Sequence, residues 1–193
     1  MSHIDLTSFL EKKFARWPRV YGRYSASELY NIYHDKITPE EWIAGKQFTT
    51  ADMIAMWRGS VVHDMVQSLL TGGTVEAKVV KPYLTFTIVG KADFVPGFED
   101  SVWEFKTSPD KFDLTESERF QGRVYCTLFE RSKTMFYQPV VTPEKLLLET
   151  LGEETRDDEW FSGVMSKVLV FHAKLEPVWK HYQAEMEGKQ IAI

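Results

Sequence analysis

Cysteine is nearly absent: Cys126 stands alone in 193 residues. An internal disulfide, a thiolate zinc site and an iron–sulfur cluster each need at least two sulfurs from the chain, so all three are excluded. Long apolar runs are missing as well. The longest, Met53 to Trp57, has five residues, far short of the roughly 20 that cross a bilayer as a helix. The opening MSHIDLTSFLEKK lacks the apolar centre of a secretory signal, so a cytoplasmic chain with no membrane partner is expected, whether cellular or acting in the host cytoplasm of a phage or virus. No repeat, low-complexity tract or long Pro/Gly/Ser linker divides the sequence, and its length suits one domain with a sizeable core. Positive charge is also in short supply, with 23 Lys and Arg against 28 Asp and Glu for a net charge of -5. At face value that balance argues against a nucleic-acid partner held by bulk charge.

The charge is unevenly placed. Residues 10 to 25 hold Lys12, Lys13, Arg16, Arg19 and Arg23 against Glu11, a local +4, with Phe14, Trp17, Tyr21 and Tyr24 interleaved. Residues 143 to 160 carry a local -5, which is the whole net charge. Cations alternating with aromatic rings can track phosphates and stack bases of a single strand, although an amphipathic segment packing its rings on the core reads equally well. The acidic run Glu153 to Glu159 reads as a solvated helix start.

Periodicity predicts a helix through Leu6, Leu10, Phe14 and Trp17, ended by Pro18, and a short helix over Leu29 to Tyr33 capped by Ser25 or Ser27. A longer helix is predicted over Ala51 to Leu70, with Ile54, Val61, Met65, Leu69 and Leu70 as its core face. Val75 to Val80, Tyr83 to Val95 and Ser101 to Thr107 read as strands, Glu116 to Arg131 as a helix, Thr134 to Thr142 as a strand, and Asp157 to Glu187 as a helical tract kinked at Pro177. The expected fold is α/β, a central mixed sheet flanked by helices. It divides into a helical N-terminal segment (1–50), a catalytic core (51–142) and a C-terminal helical region (143–193).

The stretch GKADFVPGFEDSVWEFKTS, residues 90 to 108, carries the chemistry. On a strand over Ser101 to Thr107, Val102, Glu104 and Lys106 share one face, while Trp103 and Phe105 share the other. An acid and a base two residues apart on a covered strand are costly to bury unless they pair or hold a metal. A hairpin turning through Pro96-Gly97 would bring Asp93 beside Glu104. Two carboxylates and an amine then converge, a set that suits Mg²⁺ or Mn²⁺ with a lysine orienting a water.

Asp93 followed by Glu104-Phe105-Lys106 resembles the D…(D/E)XK signature of the PD-(D/E)XK nuclease superfamily. Two helix motifs narrow the resemblance to the RecB-type branch: Arg58-Gly59-Ser60-Val61-Val62-His63 is similar to RGxxxH, and Gln121-Gly122-Arg123-Val124-Tyr125 to QxxxY. The segment Ser25-Ala26-Ser27-Glu28-Leu29 resembles SxSxL. The resemblance implies a restriction-endonuclease-like core and metal-dependent hydrolysis of DNA. In it His63, Asp93, Glu104 and the Phe105 carbonyl bind Mg²⁺ or Mn²⁺, Lys106 positions the attacking water, and Gln121 and Tyr125 hold the lysine or meet the DNA backbone. Arg16, Trp17, Arg19, Tyr21, Arg23 and Arg58 are the expected nucleic-acid contacts.

The subgroup most resembled is the CRISPR-associated RecB-like exonucleases and their phage relatives. Those enzymes carry four cysteines around an iron–sulfur cluster, which this chain cannot build. An exonuclease acting on single strands or DNA ends in repair, recombination or replication is therefore expected, with a protein partner from such a complex possible. The alternatives are a non-cleaving DNA-binding or scaffold subunit and a restriction-type endonuclease. Elsewhere the sequence is less informative: His172 and His181 fall on opposite sides of a regular helix, and Cys126 reads as a small buried apolar residue.

Overall fold

The computed structural model describes residues 7–14, 19–108 and 113–191, with side chains described as far as 187. Arg16 and Trp17, two of the expected DNA contacts, lie outside the described residues. In chain order the elements are α1 (Thr7–Lys13), β1 (Arg23–Ser25), a 3₁₀ turn (Ala26–Glu28), α2 (Leu29–Tyr33), α3 (Pro39–Ala44), α4 (Thr50–Leu69), β2 (Gly73–Tyr83), β3 (Phe86–Pro96), β4 (Ser101–Phe105), α5 (Glu116–Leu128), β5 (Lys133–Val141), β6 (Leu146–Thr155) and α6 (Asp158–Ile191). Helices α3, α4 and α5 share one start signal. Thr38, Thr49 and Thr115 each accept a hydrogen bond from the backbone amide three residues on, and Glu41, Asp52 and Glu118 return the bond to the threonine amide.

The six strands form one mixed sheet. β3 pairs antiparallel with β2 along its whole length, and its other edge is shared. β1 lies parallel against Thr87–Val89 there, while β4 meets it antiparallel at Phe94↔Trp103. β5 then runs parallel to β4 and antiparallel to β6, with α5 as the crossover between β4 and β5. The backbone of residues 90 to 93 therefore faces a gap between β1 and β4.

Helices cover both faces. Ile88, Ala92 and Val102 point into the larger core with Trp42 of α3, Val124 and Leu128 of α5, and Val164 and Val168 of α6. Phe94 and Phe105 point the other way, to Val66 of α4, with Val62 and Trp103 packed alongside. The alternation expected on β4 holds: Val102 and Phe105 enter opposite cores.

Several expectations need correcting. The core face of α4 is Met53, Val66 and Gln67, whereas Val61 is 51% and Leu69 64% exposed, and Ile54 and Met65 are also surface residues. The helix bears apolar residues all round, so periodicity did not distinguish the stripe facing the sheet from the stripe facing solvent. The 143–193 region is not wholly helical, because β6 occupies Leu146–Thr155 and closes the sheet edge. Glu153 and Glu154 are thus strand residues, and Glu154 is buried between Arg119 and Arg123 of α5 at 3.3 and 2.9 Å. β1 and α3 add elements that periodicity missed, whereas α6 is the single C-terminal helical tract expected, with Pro177 inside it.

Gly122, inside the Gln121–Tyr125 motif, has a packing reason. A Cβ built there would lie 2.4 Å from Cζ of the fully buried Phe136. Gly122→Ala should therefore destabilise the fold by about 2 kcal/mol, an overpacking cost that outweighs the better helix propensity of alanine. A lower urea midpoint at unchanged slope is the expected result, and an unchanged midpoint would refute it.

Candidate active site

Where β3 and β4 part, side chains replace the missing ladder bonds. The Asp93 carboxylate accepts from the Phe105 amide at 2.7 Å, and the Glu104 carboxylate accepts from the Asp93 amide at 3.3 Å. The two acids thus brace each other's strands, and the hairpin expected from Pro96-Gly97 does bring them together. Lys106, just past the end of β4, has its amide anchored on the Tyr137 carbonyl at 2.8 Å. Its ammonium lies 3.5 Å from Glu104 Oε2 and 5.4 Å from the centre of the Phe136 ring.

The fork is open to both helical layers. From one face α4 delivers His63, whose Nε2 is 3.0 Å from Asp93 Oδ2. One turn earlier, a Cβ on Gly59 would lie 2.8 Å from Thr107 Oγ1, so glycine there lets α4 settle against the end of β4. One turn later, the buried Gln67 donates to the Asp93 carbonyl at 3.2 Å. Gly59, His63 and Gln67, four residues apart, form one stripe. Sequence reading missed Gln67, and its only signal was that i+4 relation to His63. From the other face α5 supplies Tyr125, which donates to the Lys91 carbonyl at 2.8 Å while accepting from Gln121 Nε2 at 2.8 Å. Gln121 and Tyr125 do face the fork together, and the tyrosine hydroxyl is held on the β3 backbone rather than on the lysine.

The electrostatics follow from burial. Glu104 is pushed up to about 8, first by desolvation and then by the charge of Asp93, with Lys106 only partly offsetting them. Burial alone would lower the His63 pKa, but the hydrogen bond and charge of Asp93, joined by the charge of Glu104, raise it. Burial and the same two carboxylates push the Tyr125 hydroxyl above its ordinary range, which keeps it a donor. With both carboxylates ionised the fork would hold more negative charge than its one ammonium neutralises, and Glu104 meets that by keeping its proton to a higher pH.

Among the described residues no three His, Cys, Asp or Glu side chains form a ready-made metal cage, and His63 and Asp93 are engaged with each other. The donors nevertheless have the right chemistry for a hard divalent ion: two carboxylates, one of them destabilised when ionised, and an imidazole nitrogen.

The expected DNA contacts are dispersed. Arg19 and Arg23 line a cleft of about 590 Å³ with Lys78, beside β1 and the Val89 end of β3. Arg19 is ion-paired with Glu28 and lies 4.6 Å over the Trp42 ring. Tyr21 packs instead on His172 and Trp179, and Tyr24 is fully buried with its hydroxyl 2.9 Å from His172 Nδ1. Arg58 is exposed on the solvent side of α4.

No protein-family model matches the chain, and no curated protein is similar to it in sequence. Solved structures do share its fold. An alkaline exonuclease from Laribacter hongkongensis in complex with dAMP superposes with a TM-score of 0.63 at 16% identity, over 87% of this chain and 95% of that one. A phage-related exonuclease from Haemophilus somnus gives 0.55 at 12% identity, over 84% and 97%. The chain thus has the mixed α/β architecture, a central sheet flanked by helices, of these exonuclease structures.

Proposed function

We propose that the protein is a metal-dependent nuclease of the PD-(D/E)XK type, RecB-like, that hydrolyses DNA phosphodiester bonds as an exonuclease on single strands or DNA ends. The observation that carries this reading is the fork itself: Asp93 and Glu104 bracing β3 against β4, with His63 and Lys106 on them. The exonuclease fold neighbours, one of them solved with dAMP, support it.

In this reading His63, Asp93, Glu104 and the Phe105 carbonyl hold Mg²⁺ or Mn²⁺. The ion would polarise a phosphoryl oxygen and lower the pKa of a bound water. Lys106 orients the attacking water and offsets charge developing on the phosphate. Gln67 and Phe105 fix the backbone and carboxylate of Asp93, so the acid is positioned before a cation arrives. Gln121 and Tyr125 hold the β3 backbone at Lys91 and close the floor of the fork. Arg23 and Lys78, beside the paired Arg19 and Glu28, leave the cleft next to β1 with a net positive lining that suits a phosphate backbone.

The test is incubation of end-labelled linear single-stranded DNA and closed circular DNA with Mn²⁺. Mononucleotide release from the linear strand, no cleavage of circles and full inhibition by EDTA are expected. Cleavage that persists in EDTA would refute the metal-dependent reading, and efficient cutting of circles would turn it into an endonuclease.

A further inference from the structure

Lys106 stands just past the end of β4 on a flexible four-carbon stem, whose rotamer freedom a positioned ammonium must give up. Its bond to Glu104 is a weak hold. Nζ lies 3.5 Å from Oε2, against the ~2.8 Å of a strong charge-assisted bond. Among the described residues no other side chain hydrogen-bonds or ion-pairs with the ammonium. The remaining contact is the Phe136 ring, whose centre is 5.4 Å from Nζ, within the ~6 Å over which a ring face attracts a cation. We propose that Phe136 is a positioning residue of the nuclease reaction, its ring face holding the Lys106 ammonium at the fork.

Two observations support this, and chemistry gives the reason. The first is register. Glu104 and Phe136 are direct partners across the parallel strands β4 and β5, so the ring stands beside the carboxylate on the face that Glu104 and Lys106 share. Tyr137, next along β5, accepts the Lys106 amide at 2.8 Å, so two consecutive residues of β5 hold the lysine by its backbone and by its ammonium. The second is the fixing of the ring itself. Phe136 is fully buried between two glycines: Gly152 directly across on β6, and Gly122 of α5, whose missing Cβ leaves space for the ring tip. A ring packed this closely presents one face. The chemical reason is that a phenyl ring neither takes a proton nor binds a hard cation. Its hold on the ammonium therefore persists when Glu104 turns to a metal ion. The inference rests on the nuclease reading and deepens it, because it says what keeps Lys106 in place during the reaction.

The experiment has a kinetic and a spectroscopic arm, both on the full chain. With Mn²⁺ and end-labelled single-stranded DNA, Phe136→Leu should lower the single-turnover rate on the order of 10-fold at an unchanged half-saturating DNA concentration, the rate equivalent of a desolvated contact between ring and cation. Phe136→3,5-difluorophenylalanine keeps the shape of the ring but drains its face of electrons, and should lower the rate about threefold. In a Lys106→Met background Phe136→Leu should cost less than about twofold more, because the ring then has no ammonium to hold. The second arm needs neither metal nor turnover. In EDTA-treated, ¹³C-lysine-labelled protein, the Lys106 ε-methylene resonance, assigned by its loss in Lys106→Met, should lie upfield through the ring current and return to the ordinary lysine position in Phe136→Leu. If Phe136→Leu lowers the rate as much beside Lys106→Met as alone, or if the ε-methylene signal is the same with and without the ring, Phe136 is a core residue only. The proposal is then overturned and the nuclease reading stands. Should Phe136→Leu fail to fold, the difluoro variant decides, and an unchanged rate in it overturns the proposal. If wild type cleaves no DNA with Mn²⁺, the nuclease reading falls and the proposal with it.

Discussion

Lys106→Met lowers DNA cleavage by about 10²- to 10³-fold with the fold intact, the loss expected when one preorganised group that stabilises developing charge is removed. The ammonium is well placed for that role: its side chain is 15% exposed and lies 3.5 Å from Glu104 Oε2 at the mouth of the fork. Lys106→Arg should recover only part of the rate, because a planar guanidinium does not present a point charge at the same position. Single-turnover kinetics with saturating Mn²⁺ measure the effect, and circular dichroism checks the fold. A Lys106→Met rate within threefold of wild type would show that the lysine is a structural partner of Glu104 and no more.

The second large effect is on stability, through Glu104. Its carboxyl titrates at about 8 in the folded chain and near its ordinary 4.5 when exposed. Between those values the native state holds more protons than the unfolded state, so metal-free stability falls as pH rises through that window and levels off above it. Burial of the group makes the change about 3 kcal/mol, or a Tm lower by about 5–10 °C at pH 8.5 than at pH 5. His63, whose pKa is also raised, adds a smaller loss of the same sign above pH 6.5. Glu104→Gln should remove most of the pH dependence and raise the metal-free Tm at pH 8.5. Mn²⁺ should stabilise wild type more at pH 8.5 than at pH 5, and Glu104→Gln far less at either pH. Thermal unfolding of both proteins across this range, with and without Mn²⁺, tests the claim. Equal pH dependence in the two would show that Glu104 is not the group that titrates.

Local chemistry made much of the site legible in the sequence. Alternation along Ser101 to Phe105 put Glu104 opposite Phe105, and a turn at Pro96-Gly97 was enough to bring Asp93 back beside it. Helical spacing made Gln121 and Tyr125 neighbours, and they share a hydrogen bond. Less was legible where a residue's partner lies far along the chain. Gln67 bonds a carbonyl 26 residues away, and Glu154 bonds Arg119 and Arg123 more than 30 residues earlier. The stretch Leu146 to Thr155 has little strand signature of its own and gains its structure by pairing with β5.

The sequence by itself determined the compositional limits and the short-range patterns, Glu104 and Lys106 on one strand face with Asp93 across a turn and Gln121 and Tyr125 on one helix face, because spacing within one helix or one hairpin follows from backbone geometry alone, whereas His63 joined that set only through the resemblance of its motif. Only the tertiary structure decided which face of α4 meets the sheet, that β1 and β4 share one edge of β3 and leave the fork between them, and that Tyr21 and Tyr24 turn inward while Trp57 turns out. Those outcomes depend on which apolar surfaces find each other across the chain. Burial is non-directional, and a helix apolar on several sides carries no local instruction about which side to hide.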